Sequence, residues 1–384
     1  MRFVLFYHSA LSDWNHGNAH FLRGVAVELQ ARGHDVTIYE PVDAWSAVNL
    51  AAAHGEEALL RTRRAYPTLP TIRYSAPLDV DRALDGADVV VVHEWNTPDL
   101  VRAIGRHRAA SGGYVLLFHD THHRSVSDRA SMAAYDLSHY HGVLAFGDVV
   151  RRHYVEQGWA ANAWTWHEAA DTRIFRPHPE LQPDGDLVWI GNWGDDERTA
   201  ELREFLIEPI RELALRATVH GVRYPDAALG ELRSAGIAFG GWLPNYEVPL
   251  AYARHRVTVH VPRRPYVRAL PGIPTIRPFE ALACGIPLVS APWDDAEGLF
   301  RSGVDYLVAR DGAEMRRHLH QVLNEPALAG ALAAHGRDTI LARHTCAHRV
   351  NELLDVVTSL TDRQASSAAA AGAALLPADR QVPA

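Results

Sequence analysis

The 384-residue sequence contains no lysine, so all 38 of its basic residues are arginines. This absence excludes the chemistries that need a lysine side chain: a Walker-type phosphate loop, a Schiff base with a carbonyl substrate, and lysine-bound pyridoxal phosphate. Any phosphate that the protein binds must therefore contact arginine, backbone amides or the N-terminus of a helix.

Cysteine and long apolar runs are also scarce. Cys284 and Cys346 lie far apart in sequence, which predicts two reduced packing residues rather than a disulfide framework or a zinc site. No segment approaches the roughly 18 consecutive apolar residues of a membrane span. The opening apolar run is too short for a signal peptide. We therefore expect a cytoplasmic protein without stable membrane insertion.

Positive charge is in deficit as well, because the formal net charge is -8. This balance disfavours nucleic acid and anionic membrane as partners. The remaining composition, with 47% hydrophobic and 22% charged residues, is typical of a globular protein, and the length predicts two or three domains.

Short apolar runs alternate with amphipathic stretches along the chain, a pattern that predicts α/β domains with parallel sheets. In the first half the predicted strands and helices cover residues 3–7, 18–32, 36–39, 88–92, 97–110, 114–118 and 142–152. In the second half they cover residues 187–190, 196–215, 217–220, 257–261, 278–284 and 288–290. Proline concentrates between these halves, which predicts a linker.

The predicted organisation is therefore two doubly wound, Rossmann-like domains that face each other across a cleft. The first domain would cover residues 1–176, a linker residues 177–185, and the second domain residues 186–362. Residues 363–384 are of low complexity and are predicted to form a disordered tail. Ligands of such domains bind at the carboxyl ends of the strands, so we expect the site in the cleft.

The segment 270–290 has the pattern of a loop, a short helix and a strand. Pro278 suits the first turn of a helix and Gly285 its end, so Thr275, Ile276 and Arg277 fall at the helix N-terminus. Amides, a partial positive charge and a guanidinium would meet there, as a diphosphate site requires. Two alternatives stay open: Arg277 is a solvated or ion-paired surface residue, and Glu280 caps its own helix instead of binding a ribose.

Residues 277–287, with the sequence RPFEALACGIP, resemble the signature of the glycosyl transferases group 1 family, in particular its CgeB-like branch. Residues 240–247 and 305–309 are similar to the flanking segments of that family, and residues 170–177 to the segment that leaves its first domain. The resemblance implies a GT-B fold, a nucleoside-diphosphate sugar as donor, retention of configuration, and no required metal or other cofactor.

The resemblance also implies site residues in the second half. Glu280 matches the second glutamate of a pair and would hold the donor ribose, while the first position of that pair is Gly272. Gly191 and Asn192, with Arg198 beyond them, match the loop that contacts the diphosphate. Trp242 and Leu243 match the segment that touches the nucleobase. A solvated surface remains the alternative for Arg198, and core packing for Trp242 and Leu243.

In the first half, the long loop after the first predicted strand should face the cleft. Its Asp13 and His16 are candidates for a general base on an acceptor hydroxyl. Alternatively, asparagines of this loop cap the next helix and Asp13 is solvated. His119 matches a position near the reacting sugar in the family, although a strand-end histidine also serves as a structural residue.

The chain has 23 histidines, and they are most closely spaced in residues 119–123, with the sequence HDTHH. This group has neither the spacing of a zinc-binding helix nor paired cysteines, so we expect no metal site.

The composition predicts a cytoplasmic protein, and the family resemblance implies a glycosyltransferase that acts on an unidentified acceptor. A sugar-nucleotide epimerase of the same fold is one alternative. A catalytically inactive protein that binds a nucleotide sugar is another, because Gly272 replaces a glutamate. A phosphorylase is excluded, because its pyridoxal phosphate needs a lysine.

Overall fold

The computed structural model describes residues 1–374. Its first domain is built on a sheet of seven parallel strands in the order β3-β2-β1-β4-β5-β6-β7. The strands are β1 (Arg2–Phe6), β2 (Asp35–Pro41), β3 (Thr71–Tyr74), β4 (Val89–His93), β5 (Val115–Asp120), β6 (Gly142–Ala145) and β7 (Ala163–Thr165). The helices between them are α1 (Ala19–Ala31), α2 (Trp45–His54), α3 (Glu56–Ala65), α4 (Val80–Leu84), α5 (Pro98–Ser111), α6 (Arg124–Ser127), α7 (Arg129–Ala133) and α8 (Asp148–Glu156).

The second domain repeats this architecture with six parallel strands in the order β10-β9-β8-β11-β12-β13. The strands are β8 (Gly185–Ile190), β9 (Ala217–His220), β10 (Ala238–Gly241), β11 (His255–His260), β12 (Leu288–Ser290) and β13 (Leu307–Val308). The helices are α9 (Thr199–Leu202), α10 (Glu208–Glu212), α11 (Asp226–Ser234), α12 (Val248–Ala253), α13 (Arg264–Ala269), α14 (Ile276–Cys284), α15 (Gly312–Asn324), α16 (Pro326–Arg343) and α17 (Cys346–Ala374). Short 3-10 turns cover Asp195–Glu197 and Asn245–Glu247, and a π-helical turn, Arg203–Ile207, joins α9 to α10.

The strand orders confirm the predicted pair of doubly wound domains. Each sheet reverses its winding between two central strands, β1 and β4 in the first domain and β8 and β11 in the second. The central strands are buried along almost their whole length; β4, for example, reads VVVVH with every residue buried. A parallel sheet with helices on both faces needs such continuous apolar runs.

The end of the chain does not follow the predicted domain division. Helix α17 returns to the first domain and packs on α1, where Val350, Leu353, Val357 and Leu360 join a core that includes Phe21. Their helical spacing places these four apolar side chains on one face. Residues 346–360 thus complete the first domain, whereas the sequence assigned residues up to 362 to the second.

The predicted disordered tail also differs in part, because α17 continues to Ala374. Alanine is frequent in this stretch and has the highest helix propensity. The rest of the predicted tail, residues 375–384, lies outside the described residues.

Candidate active site

A cavity of about 520 Å³ lies between the domains, where the carboxyl ends of the two sheets face each other. The wall from the first domain, here called the N-terminal wall, consists of His8, residues 15–18, Trp45, Ser46, Trp95, residues 121–123, Phe146 and Glu168. The wall from the second domain, the C-terminal wall, consists of residues 189–192, Glu197, Arg198, Arg223, residues 259–263, Tyr266 and residues 275–277. This is the position in which doubly wound domains bind ligands.

The N-terminus of α14 forms the centre of the C-terminal wall. Thr275, the residue before the helix, has a φ of 63°, a left-handed value that is rare for a β-branched residue. Thr275, Ile276 and Arg277 all line the cavity, so the structure brings these predicted residues together. The first turn of a helix carries unpaired amides and a partial positive charge, which suits this wall to an anion.

Arg198 reaches the same wall, but no carboxylate of the described residues is in ion-pair contact with it. Its guanidinium donates to three main-chain carbonyl oxygens, those of Val261 at 2.8 Å, Asn192 at 2.5 Å and Trp193 at 3.4 Å. Burial, and after it the nearby charge of Arg263, lowers the pKa of Arg198 to about 9. The guanidinium is therefore held in place while its positive charge stays unneutralised, and neither a solvated helix face nor an ion pair describes it.

Arg277 and Glu280 form an ion pair one helical turn apart. Glu280 is fully buried, and its other oxygen lies 2.8 Å from Nδ1 of His20 on α1. Glu280 does not line the cavity, and as the fifth residue of α14 it does not cap that helix. In this conformation Glu280 thus positions Arg277 and joins the two domains, and its predicted contact with a donor ribose stays a prediction.

Gly191 and Asn192 follow β8 and line the cavity, as predicted. The Asn192 side chain donates to Oδ1 of Asn15 at 2.5 Å and accepts from the amide of Val222 at 2.9 Å. A Cβ at position 191 would approach the Trp189 ring to 2.8 Å, so only glycine fits there. This turn therefore links the cavity to the first domain.

Trp242 and Leu243, predicted at the nucleobase, lie beside a second, smaller pocket of about 30 Å³. This volume admits only one or two water molecules. The Trp242 indole donates to Oδ1 of Asp13 in the other domain at 2.9 Å. Contacts between the domains thus fill this region in the present conformation.

Asp13 has no free oxygen with which to act as a base. In addition to the Trp242 indole, it accepts hydrogen bonds from the amide of Asn245 at 3.0 Å and from Arg23 at 3.2 Å. Both members of the Arg23 pair are fully buried at their side chains, and Asp13 does not line the cavity. The structure therefore places Asp13 in an anchor between the domains, neither solvated nor at the reacting groups.

His16, from the same loop, does line the cavity. Its Nε2 is buried and has no hydrogen-bond partner in the described part of the chain. Burial, together with the neighbouring His8, lowers the pKa of His16 well below its ordinary value. His16 is thus a neutral imidazole at pH 7 that faces the cavity. Asn18 precedes α1 without a side-chain cap, contrary to the capping alternative.

His119 lies behind the cavity wall, contrary to the expectation that it approaches the reacting sugar. It is 1% exposed on β5 and does not line the cavity. Its ring packs against those of Trp166 at 4.7 Å, His93 at 5.2 Å and Phe21 at 6.1 Å. The alternation of side chains along a strand turns His119 toward the helix layer, which the sequence match did not reveal.

The structure gives a reason for Gly272, where the family resemblance predicts a glutamate. Gly272 has a φ of 89°, and a Cβ there would lie 2.6 Å from Oε1 of Glu297. Glu297 is fixed by the amide of Asp148 at 2.8 Å and by His167 at 2.8 Å, both in the first domain. A side chain at 272 would therefore displace a contact between the domains.

Sequence reasoning missed Glu168, a residue of the N-terminal wall. Glu168 is 3% exposed, and its Oε2 has no hydrogen-bond partner among the described residues. Burial, and after it the charge of Glu280, raises the pKa of Glu168 well above its ordinary value. The available signal was its place just after β7, at the cleft edge of the sheet, but nothing in the spacing separates it from a surface glutamate.

The described residues contain no group of three or more histidine, cysteine, aspartate or glutamate side chains arranged to hold a metal ion. The same part of the chain has no helix that is both long and apolar enough to cross a membrane.

Comparison with known proteins agrees with this architecture. Residues 198–355 match the family described as glycosyl transferase-like. No curated protein sequence matches the chain significantly.

Several solved GT-B structures superpose on almost the whole chain. A sucrose-phosphate synthase from Thermosynechococcus elongatus shares 14% identity over 94% of this chain and 100% of its own, with a TM-score of 0.63. HepE from Anabaena, solved with UDP and glucose, shares 13% identity over 94% of this chain and 100% of its own, with a TM-score of 0.65. An alpha-glucosyltransferase, solved with UDP and a 13-mer DNA, shares 11% identity over 93% of this chain and 99% of its own, also with a TM-score of 0.65. These likenesses establish the GT-B fold.

Proposed function

We propose that the protein is a glycosyltransferase that moves a sugar from a nucleoside-diphosphate sugar to an acceptor hydroxyl, with retention and without a metal ion. The observation that carries this proposal is the unneutralised guanidinium of Arg198, held by three carbonyl oxygens at the cavity. A partly buried charge without a counter-ion is costly. A bound anion removes that cost, and the adjacent N-terminus of α14 favours the same ligand.

A diphosphate fits this wall better than a single small anion. Arg198 and Arg277 both line the cavity together with the first residues of α14, so several donors are available to several phosphate oxygens. When the bond between the sugar and the diphosphate breaks, the leaving group gains negative charge, and these donors stabilise it without moving. In our proposal they perform the electrostatic task that a metal ion performs in other transferases.

The fold neighbours support a nucleotide as the carrier of this diphosphate. HepE and the alpha-glucosyltransferase were both solved in complex with UDP. We place the nucleotide at the C-terminal wall and the acceptor at the N-terminal wall. Of the three residues predicted to serve the reaction there, His16 lines the cavity whereas Asp13 and His119 do not, so we assign the contact with the acceptor hydroxyl to His16.

The sugar itself would lie between the walls, next to Glu168. This residue lines the cavity, and Oε2 of Glu168 has no partner among the described residues. A carboxyl oxygen accepts hydrogen bonds from sugar hydroxyls. We therefore assign Glu168 to recognition of the transferred sugar.

Calorimetric titration with UDP, GDP, TDP and their common sugar conjugates tests the proposal. We expect one nucleotide to bind selectively. Arg198→Gln should weaken that binding about 10- to 100-fold, because hydrogen bonds to charged groups contribute about 1.5–3 kcal/mol. Arg277→Ala should abolish turnover, because it removes a guanidinium from the cavity and also leaves Glu280 without that ion pair.

Arg203→Gln is the matched control, since Arg203 pairs with Glu231 on the surface and lies outside the cavity. Its nucleotide affinity should equal that of the wild type. The absence of binding to any nucleotide or nucleotide sugar would refute the proposal. Release of a free sugar isomer without acceptor would favour an epimerase instead.

A further inference from the structure

The N-terminal wall contains two tryptophans whose rings are open to the cavity. Trp45 is 54% exposed and Trp95 is 44% exposed, and both line the cavity. Trp45 begins α2, where the Trp14 ring meets it edge-on at 5.0 Å between centroids. The guanidinium of Arg124 lies 4.1 Å from the Trp95 ring centroid. Tryptophan is highly buried on average, so two such rings at one cavity indicate a binding surface.

Unpaired imidazole nitrogens lie beside these rings. Nδ1 of His8, Nε2 of His16 and Nδ1 of His122 are buried, and within the described part of the chain they have no hydrogen-bond partner. All three residues line the cavity. The His8 ring lies 4.2 Å from that of His16 and 6.2 Å from that of Trp95, and the His122 ring lies 5.1 Å from that of Trp95. Buried polar atoms normally have partners, so this surface suits a ligand with hydrogen-bonding groups.

The N-terminal wall is also free of positive charge. None of its described residues is an arginine, and Arg124, next to Trp95, is ion-paired with Glu94 at 2.8 Å. Burial lowers the pKa of His8 to about 3, and that of His16 is lowered in the same direction. These imidazoles are neutral at pH 7. A phosphorylated or carboxylated ligand would find no counter-ion on this wall, in contrast to the C-terminal wall.

From these observations we infer that the acceptor is a neutral carbohydrate whose ring stacks on Trp45 and Trp95. The inference rests on the proposed glycosyl transfer, for which it names the class of acceptor. A sugar ring presents C–H groups on its face and hydroxyls along its edge. The C–H face packs on an indole ring, and the hydroxyls exchange hydrogen bonds with His8 and His16. An apolar chain would leave these nitrogens unpaired.

The test measures binding of five saccharides to the full chain, with and without UDP, by tryptophan fluorescence and calorimetry. The saccharides are glucose, maltose, cellobiose, lactose and diacetylchitobiose. We expect at least one saccharide to bind. Trp45→Ala and Trp95→Ala should each weaken that binding at least fivefold and leave the affinity for UDP within twofold of the wild type. Trp45→Phe keeps an aromatic face and should recover part of the loss.

Trp159→Ala is the control, because Trp159 packs on Tyr154 and does not line the cavity. Failure of all five saccharides to bind the wild type would overturn the inference, and so would tryptophan-dependent binding of adenosine in their place. Saccharide binding through Trp45 without any nucleotide binding would refute the proposed function and leave the carbohydrate site established. The two failures are thus distinguishable.

Discussion

The two walls of the cavity differ in chemistry, because the C-terminal wall carries arginines and the N-terminal wall carries neutral histidines and tryptophans. Glu168 is the residue on which both walls act. It belongs to the N-terminal wall, yet the charges that act on its carboxyl group are those of Glu280 and Arg277 in the second domain. At this scale the protein places a buried guanidinium and a buried carboxyl group, those of Arg198 and Glu168, at one cavity. Because neither is in an ion pair among the described residues, a substitution at either position reports on ligand binding more than on packing.

We predict that Glu168→Gln lowers kcat/KM at least tenfold while the affinity for the nucleotide alone stays within twofold. Glutamine keeps the shape of the side chain, but its amide group is a donor at one of the two oxygen positions. Steady-state kinetics and calorimetry on the same preparation measure both quantities. Glu208→Gln, at an exposed position, is the control and should change neither.

The same variant gives a prediction for stability against pH. Because burial raises the pKa of Glu168 in the folded state, its contribution to stability is complete below the unfolded pKa of about 4.5 and is lost as the pH rises. The Tm of Glu168→Gln should therefore exceed that of the wild type increasingly as the pH rises from 4.5. Parallel Tm curves for the two proteins would contradict the raised pKa.

At the scale of elements, the loop between β1 and α1 holds the domains together. Asp13 in this loop accepts from Trp242 and Asn245 of the second domain, while Arg23 of α1 completes the buried pair. The same loop carries His16 to the cavity. One loop thus provides both a residue of the cavity wall and an anchor between the domains.

Asp13→Ala should therefore destabilise the protein by about 3–5 kcal/mol, the cost of leaving a buried charge such as Arg23 unpaired. Urea denaturation measures this loss. Trp242→Phe, which removes one hydrogen bond to Asp13, should cost only about 1 kcal/mol. If Asp13 were instead the general base, Asp13→Ala would keep the stability of the wild type and lose only turnover.

Helix α17 is the second element that connects distant parts of the chain. It follows the second domain in sequence but packs in the core of the first domain. Leu353→Ala removes a side chain that is 1% exposed in that core and should cost about 2–5 kcal/mol. Asp355→Ala, on the exposed face of the same helix, should be nearly neutral. Equal unfolding free energies of the two variants would show that α17 does not support the first domain.

For the whole molecule, buried neutral histidines set the response to acid. Burial lowers the pKa of His119, His260 and His344 to about 3 each, whereas an unfolded histidine has a pKa of about 6.5. Their contribution to stability is therefore complete above pH 6.5 and is lost as the pH falls toward 3. Each histidine should lower the free energy of unfolding by about 1–2 kcal/mol between pH 7 and pH 5.

His119→Phe tests this prediction, because the ring of His119 packs against three other rings and its nitrogens have no hydrogen-bond partner among the described residues. The variant should lose less stability than the wild type on acidification from pH 7 to pH 5, as measured by urea denaturation at each pH. An unchanged pH dependence would show that the pKa of His119 is not lowered in the folded state.

The sequence by itself determined the two doubly wound domains and the helix N-terminus that lines the cavity. Apolar runs such as β4 and the pattern around α14 are local, and local patterns fix the type of element. Thr275, Ile276 and Arg277 were found because a helix N-terminus is recognisable from a few consecutive residues. Because the chain has no lysine, arginine is its only strongly basic side chain, and Arg198 and Arg277 both line the cavity.

Only the tertiary structure decided which of these side chains are available to a ligand. Asp13 and His119 have the residue types of catalysis, but their partners Arg23, Trp242 and Trp166 come from other elements. Conversely, Glu168 and Arg198 form no ion pair among the described residues. The opposite charges that act on them, those of Arg277 and Glu197, are already paired with other residues of the fold. Pairing and burial depend on contacts between residues that are distant in sequence, and no local pattern encodes such contacts.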